Sequence, residues 1–181
     1  MPGANGRVPA WDAAVRLCHW TLAALVLFEW WRDDGDRLHR TLGYVAVGVV
    51  LARLAWAALD RRHGGLRALL PSFSSTRGYL SLLVRGRPPR SAGHDPLGLW
   101  MVWLLWLLVL LLGVTGWMTR LDMFWGDERL QAVHAWLADA LLAAACVHVI
   151  AVVAMSWLWR ENLPAAMVTG RKRPVEPRGD G

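Results

Sequence analysis

LQAVHAWLADALLAAACVHVIAVVAMSWLW, residues 130–159, decides the class of fold: 30 residues with one formal charge, Asp139, and two histidines, His134 and His148. A helix climbs ~1.5 Å per residue and the hydrocarbon layer of a bilayer is ~30 Å thick, so about 20 apolar residues cross it. In lipid no backbone group can go unpaired, so such a run has to be helical. Outward along the chain, Leu97–Met118 is 22 residues without a formal charge. Thr41–Leu59 carries only Arg53, and Val15–Trp31 is a shorter apolar run. Four transmembrane helices are expected, at about 13–31, 38–59, 96–118 and 129–159. They make an all-α, integral membrane four-helix bundle over residues 1–175, with 176–181 as a flexible tail. The first span does not read as a cleaved signal, because Glu29-Trp30-Trp31-Arg32-Asp33 offers no small-residue cleavage site. The 181 residues are 55% hydrophobic and 19% charged, which excludes intrinsic disorder, and two cysteines cannot staple a disulfide scaffold.

Charge sets the orientation. Segments 1–16, 60–96 and 160–181 hold 14 Lys/Arg, whereas the connections 32–37 and 119–129 hold four; the two sets are net +8 and −2. Lys/Arg excess marks the cytoplasmic side, so both termini are read as cytoplasmic. The basic residues form no stripe interleaved with aromatics, so the excess answers to an anionic membrane surface and not to nucleic acid.

The 13 tryptophans fit this layout. Trp30, Trp31, Trp117 and Trp125 fall near the outer helix ends, and Trp56, Trp100, Trp157 and Trp159 near the inner ones, where an apolar ring with a polar N–H prefers to lie. Trp100, Trp103 and Trp106, spaced by three, form a stripe that reads first as packing or lipid contact and second as a cofactor box. In the long inner connection, residues 76–84 suit a short interfacial helix, and Pro88-Pro89 and Gly93-His94-Asp95-Pro96 suit turns. The basic, Pro- and Gly-containing stretch after Asn162 is expected to be mobile.

Chemistry enters with the histidines. His63 and His94 read as solvated loop residues; His19, His39, His134 and His148 lie in or at the edge of membrane helices, where an ionisable group is costly and normally functional. His134 and His148 are 14 residues apart, which at ~100° and ~1.5 Å per residue puts them on one face, about 21 Å apart along the axis. That is too far for one metal ion and fits two sites stacked across the bilayer. Depth pairs His19 with His148 on the inner side and His39 with His134 on the outer side. Two neutral imidazoles from two helices, with no third ligand on a shared face, are what a low-spin haem takes as axial ligands. Zinc or copper would want more ligands. Gly43, Gly48, Ala144 and Ala145 leave room for a ring near the histidines, and the absence of C-x-x-C-H makes the haems b-type.

The motifs WDAAVRLCHW, LHRTLGY, GRPPRSAGHDPLGLWMV, TGW, HAWLADALLAAACVHV and RENLPAAMVTGRKR, in this order between Val8 and Arg173, resemble the bacterial cytochrome b561 family, which includes the cytochrome b subunits of nickel–iron hydrogenases. The resemblance implies a four-helix, two-haem inner-membrane cytochrome that passes electrons between a periplasmic redox protein, such as a c-type cytochrome or a hydrogenase-like subunit, and the quinone pool. His19, His39, His134 and His148 match the family's four haem-ligand positions.

Weaker assignments complete the reading. Arg16 and Arg53 at the inner depth, and Arg37 and Arg40 at the outer, are candidates for haem propionates, or else snorkel to the interface. Ser156, Trp157, Arg160 and Asn162 are the candidate quinone contacts beside an apolar wall. Asp139 is ~140° around the helix from His134, so it is protonated or bonded to another helix. Glu29 lies close enough to the outer boundary to be solvated. Two other functions compete: a superoxide–quinone oxidoreductase acting at the outer haem, which the negative outer connections disfavour, and a histidine-based metal-ion transporter, which the uncharged third helix disfavours.

Overall fold

Four helices long and apolar enough to cross a membrane dominate the computed structural model, which describes residues 8–32, 35–59, 69–86 and 95–174. In chain order the elements are β1 (Val8–Pro9), α1 (Ala13–Trp31), α2 (Arg37–Leu59), α3 (Phe73–Val84), α4 (Pro96–Met118), α5 (Glu128–Leu158), α6 (Leu163–Thr169) and β2 (Arg171–Lys172), with a 3-10 turn at Asp122–Phe124. The spans are α1, α2, α4 and α5. His63, His94, Pro88-Pro89 and the tail at 176–181 lie outside the described residues.

Each span begins on an aspartate. Asp12 Oδ1 accepts from Val15 N (2.7 Å), Asp36 Oδ1 from His39 N (2.9 Å), Asp95 Oδ1 from Gly98 N (2.6 Å), and Asp127 Oδ1 from Arg129 N (2.9 Å) and Leu130 N (3.2 Å). A carboxylate there satisfies amides that the helix leaves unbonded and meets the positive end of the helix dipole. It also keeps the charge at the end of the span, out of the hydrocarbon.

The spans pack as a chain of neighbours: α1 on α2, α2 on α4, and α4 on α5. Ala46, Val50 and Ala57 of α2, Trp106, Leu108 and Val109 of α4, and Leu141 and Ala144 of α5 form the buried core. Small residues let membrane helices approach. Gly113 is the clearest case, since a Cβ there would collide with Val47 of α2. The outer faces, with Leu27, Trp31, Ile150 and Trp157 exposed, form the continuous apolar surface that a bilayer covers.

At the end of the bundle where β1 and β2 pair, residues 163–174 are built in and are not the loose segment expected from their composition. Asn162 Oδ1 accepts from Ala165 N (2.8 Å) to start α6, and β2 pairs antiparallel with β1. Gly170 closes α6 with φ 75°, its carbonyl accepts from Ala10 N and Trp11 N, and a Cβ at this position would stand 2.8 Å from the Trp11 carbonyl oxygen. Only glycine suits both demands. Arg16 Nη1 donates to Val168 O, and Glu161 Oε1 accepts from Arg173 N (2.8 Å). Composition suggests mobility because it cannot register a partner at the far end of the chain, such as β1 for β2.

The tryptophan stripe takes the first of its two readings. Trp103 Nε1 donates to Leu69 O (2.6 Å), Trp100 Nε1 to Thr76 Oγ1 (3.1 Å), and Trp106 lies under the Arg53 guanidinium at 5.9 Å. The indoles thus fasten α3 and the segment before it to α4. Tyr79 of α3 is buried there, its phenol pushed up to about 12 by burial and by the neighbouring Asp95 carboxylate.

Candidate functional site

The structure brings the four membrane histidines together as two pairs. The rings of His19 (α1) and His148 (α5) have centroids 6.3 Å apart with planes at 55°; those of His39 (α2) and His134 (α5) are 6.2 Å apart at 77°. α5 supplies one imidazole to each pair from one face, so the pairs are separated by about 21 Å along that helix. The first pair lies toward the end of the bundle where β1 and β2 pair. The second lies toward the α1–α2 and α4–α5 connections.

Two imidazoles trans on one metal stand ~6.2 Å apart, from ~2.0 Å for each metal–nitrogen bond and ~1.1 Å from that nitrogen to the ring centre. Both observed separations match. The helix spacing agrees: α5 touches α1 lightly and is not among the close neighbours of α2, although these are the helices whose histidines it faces. A Cβ built on Gly43 or Gly48 of α2 meets no atom within 4 Å. Among the described residues no group of three His, Cys, Asp or Glu gathers as a metal-ion site. The residues present fit a bis-histidine haem at each pair.

The second pair is braced from behind. The Thr115 hydroxyl of α4 lies 2.7 Å from His134 Nδ1 and donates its proton back to Leu111 O (2.9 Å), as a helical threonine commonly does. With that proton committed, the oxygen accepts from His134 Nδ1–H and leaves the Nε2 lone pair for a metal. Gly116 permits the approach, since a Cβ there would stand 3.3 Å from His134 Cε1. On the other ring, Glu29 Oε2 lies 2.5 Å from His39 Nδ1, off the N–H axis, with neither atom having another partner among the described residues. This corrects the solvated reading of Glu29, whose side chain is only 17% exposed. A signal existed in the sequence for one of them: Glu29 and His39 are equidistant from Asp34, so the antiparallel α1–α2 hairpin brings the two to one depth. Depth, however, does not say which face a side chain takes. His19 Nδ1 of the first pair, by contrast, is buried with no hydrogen-bond partner among the described residues.

The arginines are spread among other contacts. Arg16 holds Val168 O, Arg53 covers Trp106, Arg40 Nε donates to Asp36 O (3.4 Å), and Arg37 is exposed at the start of α2. Arg32 pairs with Asp36 at 3.2 Å; the Asp36 carboxyl is held below its usual range, chiefly by the His39 backbone N–H and then by Arg32. Ser156, Trp157, Arg160 and Asn162 gather at the α5–α6 junction. Ser156 Oγ donates to Val152 O (2.7 Å) and accepts from Leu163 N (3.3 Å), while Trp157 is exposed and Arg160 turns the chain at φ 49°. Asp139 is exposed on α5 and bonds no other helix among the described residues.

Comparison with curated proteins and with solved structures finds no match. A family model described as prokaryotic cytochrome b561 matches residues 10–170, a span that includes all four spanning helices and both histidine pairs. Members of that family bind b haem and work in electron transfer within a membrane. A multi-pass helical membrane protein with paired intramembrane histidines, matched over nearly its whole length, belongs to the prokaryotic cytochrome b561 family.

Proposed function

We propose that the chain is a diheme b-type cytochrome of the bacterial inner membrane that relays electrons one at a time between a periplasmic redox partner and the quinone pool. The observation that carries this reading is the duplication: two histidine pairs at 6.3 and 6.2 Å, stacked along one helix. Haem iron supplies the one-electron chemistry when bound, alternating between ferrous and ferric. The protein's own part is placement. His19 and His148 hold the inner haem and His39 and His134 the outer one. α5 fixes their spacing, and the apolar walls of α2 and α4 keep water from both. No side chain makes or breaks a bond to a substrate.

The excess of Lys/Arg on the other connections supports a periplasmic position for the His39–His134 pair. The acidic connections beside it suit a partner with a basic face, such as a c-type cytochrome or a hydrogenase-like subunit. Trp157 and Arg160, turned outward at the α5–α6 junction, are the quinone contacts, with Ser156 and Asn162 shaping the junction behind them. Arg16, Arg53, Arg37 and Arg40 lie at the two haem depths and remain the propionate partners of this reading. Neither competing function gains an observation. The connections that superoxide would have to approach are net −2, and no third metal ligand joins either pair among the described residues.

A reduced-minus-oxidised spectrum with haem quantitation on purified protein tests the proposal. Two b haems per chain with bis-imidazole signals are expected; a single haem, or bound zinc or copper instead, would overturn it. Orientation is tested by single cysteines at Asp34, Asp127, Ser91 and Gly179 in a background lacking Cys18 and Cys146. An impermeant thiol reagent on intact cells should label the first two and spare the last two. The opposite pattern would invert the molecule.

A further inference from the structure

We infer that Glu29 is a positioning residue for the outer haem: its carboxylate, lodged against His39 Nδ1, sets which nitrogen that imidazole offers to iron and draws the outer site's midpoint potential below that of the inner site. The inference rests on the two-haem reading above.

Three observations carry it. The Glu29 Oε2 and His39 Nδ1 atoms lie 2.5 Å apart, both buried, in side chains only 17% and 27% exposed. The nearest cation along the chain, Arg32, pairs with Asp36 at 3.2 Å and so divides its charge between that carboxylate and Glu29. No carboxylate among the described residues reaches His19, whose Nδ1 is buried without a partner. A carboxylate beside Nδ1, even off the N–H axis, favours through its negative charge the tautomer with the proton on that nitrogen and leaves the Nε2 lone pair for the metal. It also makes the imidazole a stronger electron donor and places a negative charge one ring away from the iron. Ferric iron carries one positive charge more than ferrous iron, so both effects favour the oxidised state and lower the potential. Thr115 does not duplicate this on the opposite ligand, because its hydroxyl is neutral and its proton is bonded to Leu111 O.

Potentiometric titration of both haems, followed optically and by low-temperature EPR, provides the test in Glu29→Gln and Glu29→Asp. The unaltered protein is measured first; fewer than two haems there would be a failure of the underlying reading, not of this inference. Glu29→Gln should shift the outer ferric/ferrous equilibrium toward ferrous by on the order of tenfold, which is ~59 mV for a one-electron couple, and should move the outer EPR signal while the inner haem stays unchanged. Glu29→Asp should retain most of the original potential. Loss of the outer haem from Glu29→Gln with retention in Glu29→Asp would equally show that His39 needs the carboxylate. Two haems with unmoved outer potential in Glu29→Gln, or loss of the outer haem from both variants alike, would overturn the inference.

Discussion

Both histidine pairs hold their rings just over 6 Å apart, yet the outer pair is braced by Thr115 and Glu29 while the inner pair has His19 Nδ1 buried without a partner among the described residues. The difference does not follow nearness to a helix end, since His19 is the seventh residue of α1 as His134 is of α5. It follows what the neighbouring helices present: Thr115 of α4 stands behind His134 and Glu29 of α1 beside His39. The lesson is that two sites built from the same ligand type on one helix differ in what stands behind the ligands.

The strongest way to break the comparison is to remove ligands. His19→Ala and His148→Ala should each abolish the same haem, and His39→Ala and His134→Ala the other, read from haem quantitation and EPR; His63→Ala and His94→Ala should leave the spectrum unchanged. If the His19 and His39 variants lose the same haem, the pairing dissolves. A smaller effect is expected from Thr115→Val, which keeps the volume and deletes the hydroxyl behind His134. Outer-haem retention during detergent dilution should fall on the order of tenfold, with the inner haem unaffected. Equal loss from both sites would show that the bracing is not specific to the outer pair.

Smaller still, Trp103→Phe removes the bond to Leu69 O that fastens the α3 segment, at about 1 kcal/mol. Thermal stability should fall by a few degrees with neither haem potential moved; a shift in either would draw α3 into the site. The smallest effect concerns acid. The folded-state pKa of Asp36 is depressed, so its contribution to holding the first turn of α2 is fully present above the ordinary carboxylate range and lost as pH falls through the depressed value. Acidification should therefore loosen the outer haem before the inner one. Asp36→Asn keeps a capping oxygen without a titrating group and should flatten that dependence. An unchanged acid profile in the variant would remove Asp36 from the comparison.

Much of the architecture was legible because a membrane leaves few choices. A run such as Leu97–Met118, without a charge, has to span and has to be helical, and the aspartate before each helix marks where it leaves the hydrocarbon. The histidine pairing was legible for a related reason. Antiparallel spans of known order fix depth, and 14 residues on one helix fix the shared face of His134 and His148. The segment after Asn162 was not legible. Its α6 and β2 depend on β1 at the far end of the chain, and local composition carries no record of a partner that distant. Glu29 belongs with it, because distance from the boundary carries no record of the neighbour that covers the side chain.

The sequence by itself determined that the chain carries four helices long and apolar enough to span a bilayer, and which histidines share a depth. Those properties are sums along the chain: hydropathy over 20 or so residues and rise per residue. Only the tertiary structure decided what stands behind each imidazole. Whether Glu29 meets water or His39 Nδ1, and whether Thr115 faces lipid or His134, depends on the rotation of one helix against another. That rotation is set by close contacts such as Gly113 against Val47, where the presence of one Cβ changes how near two helices can come.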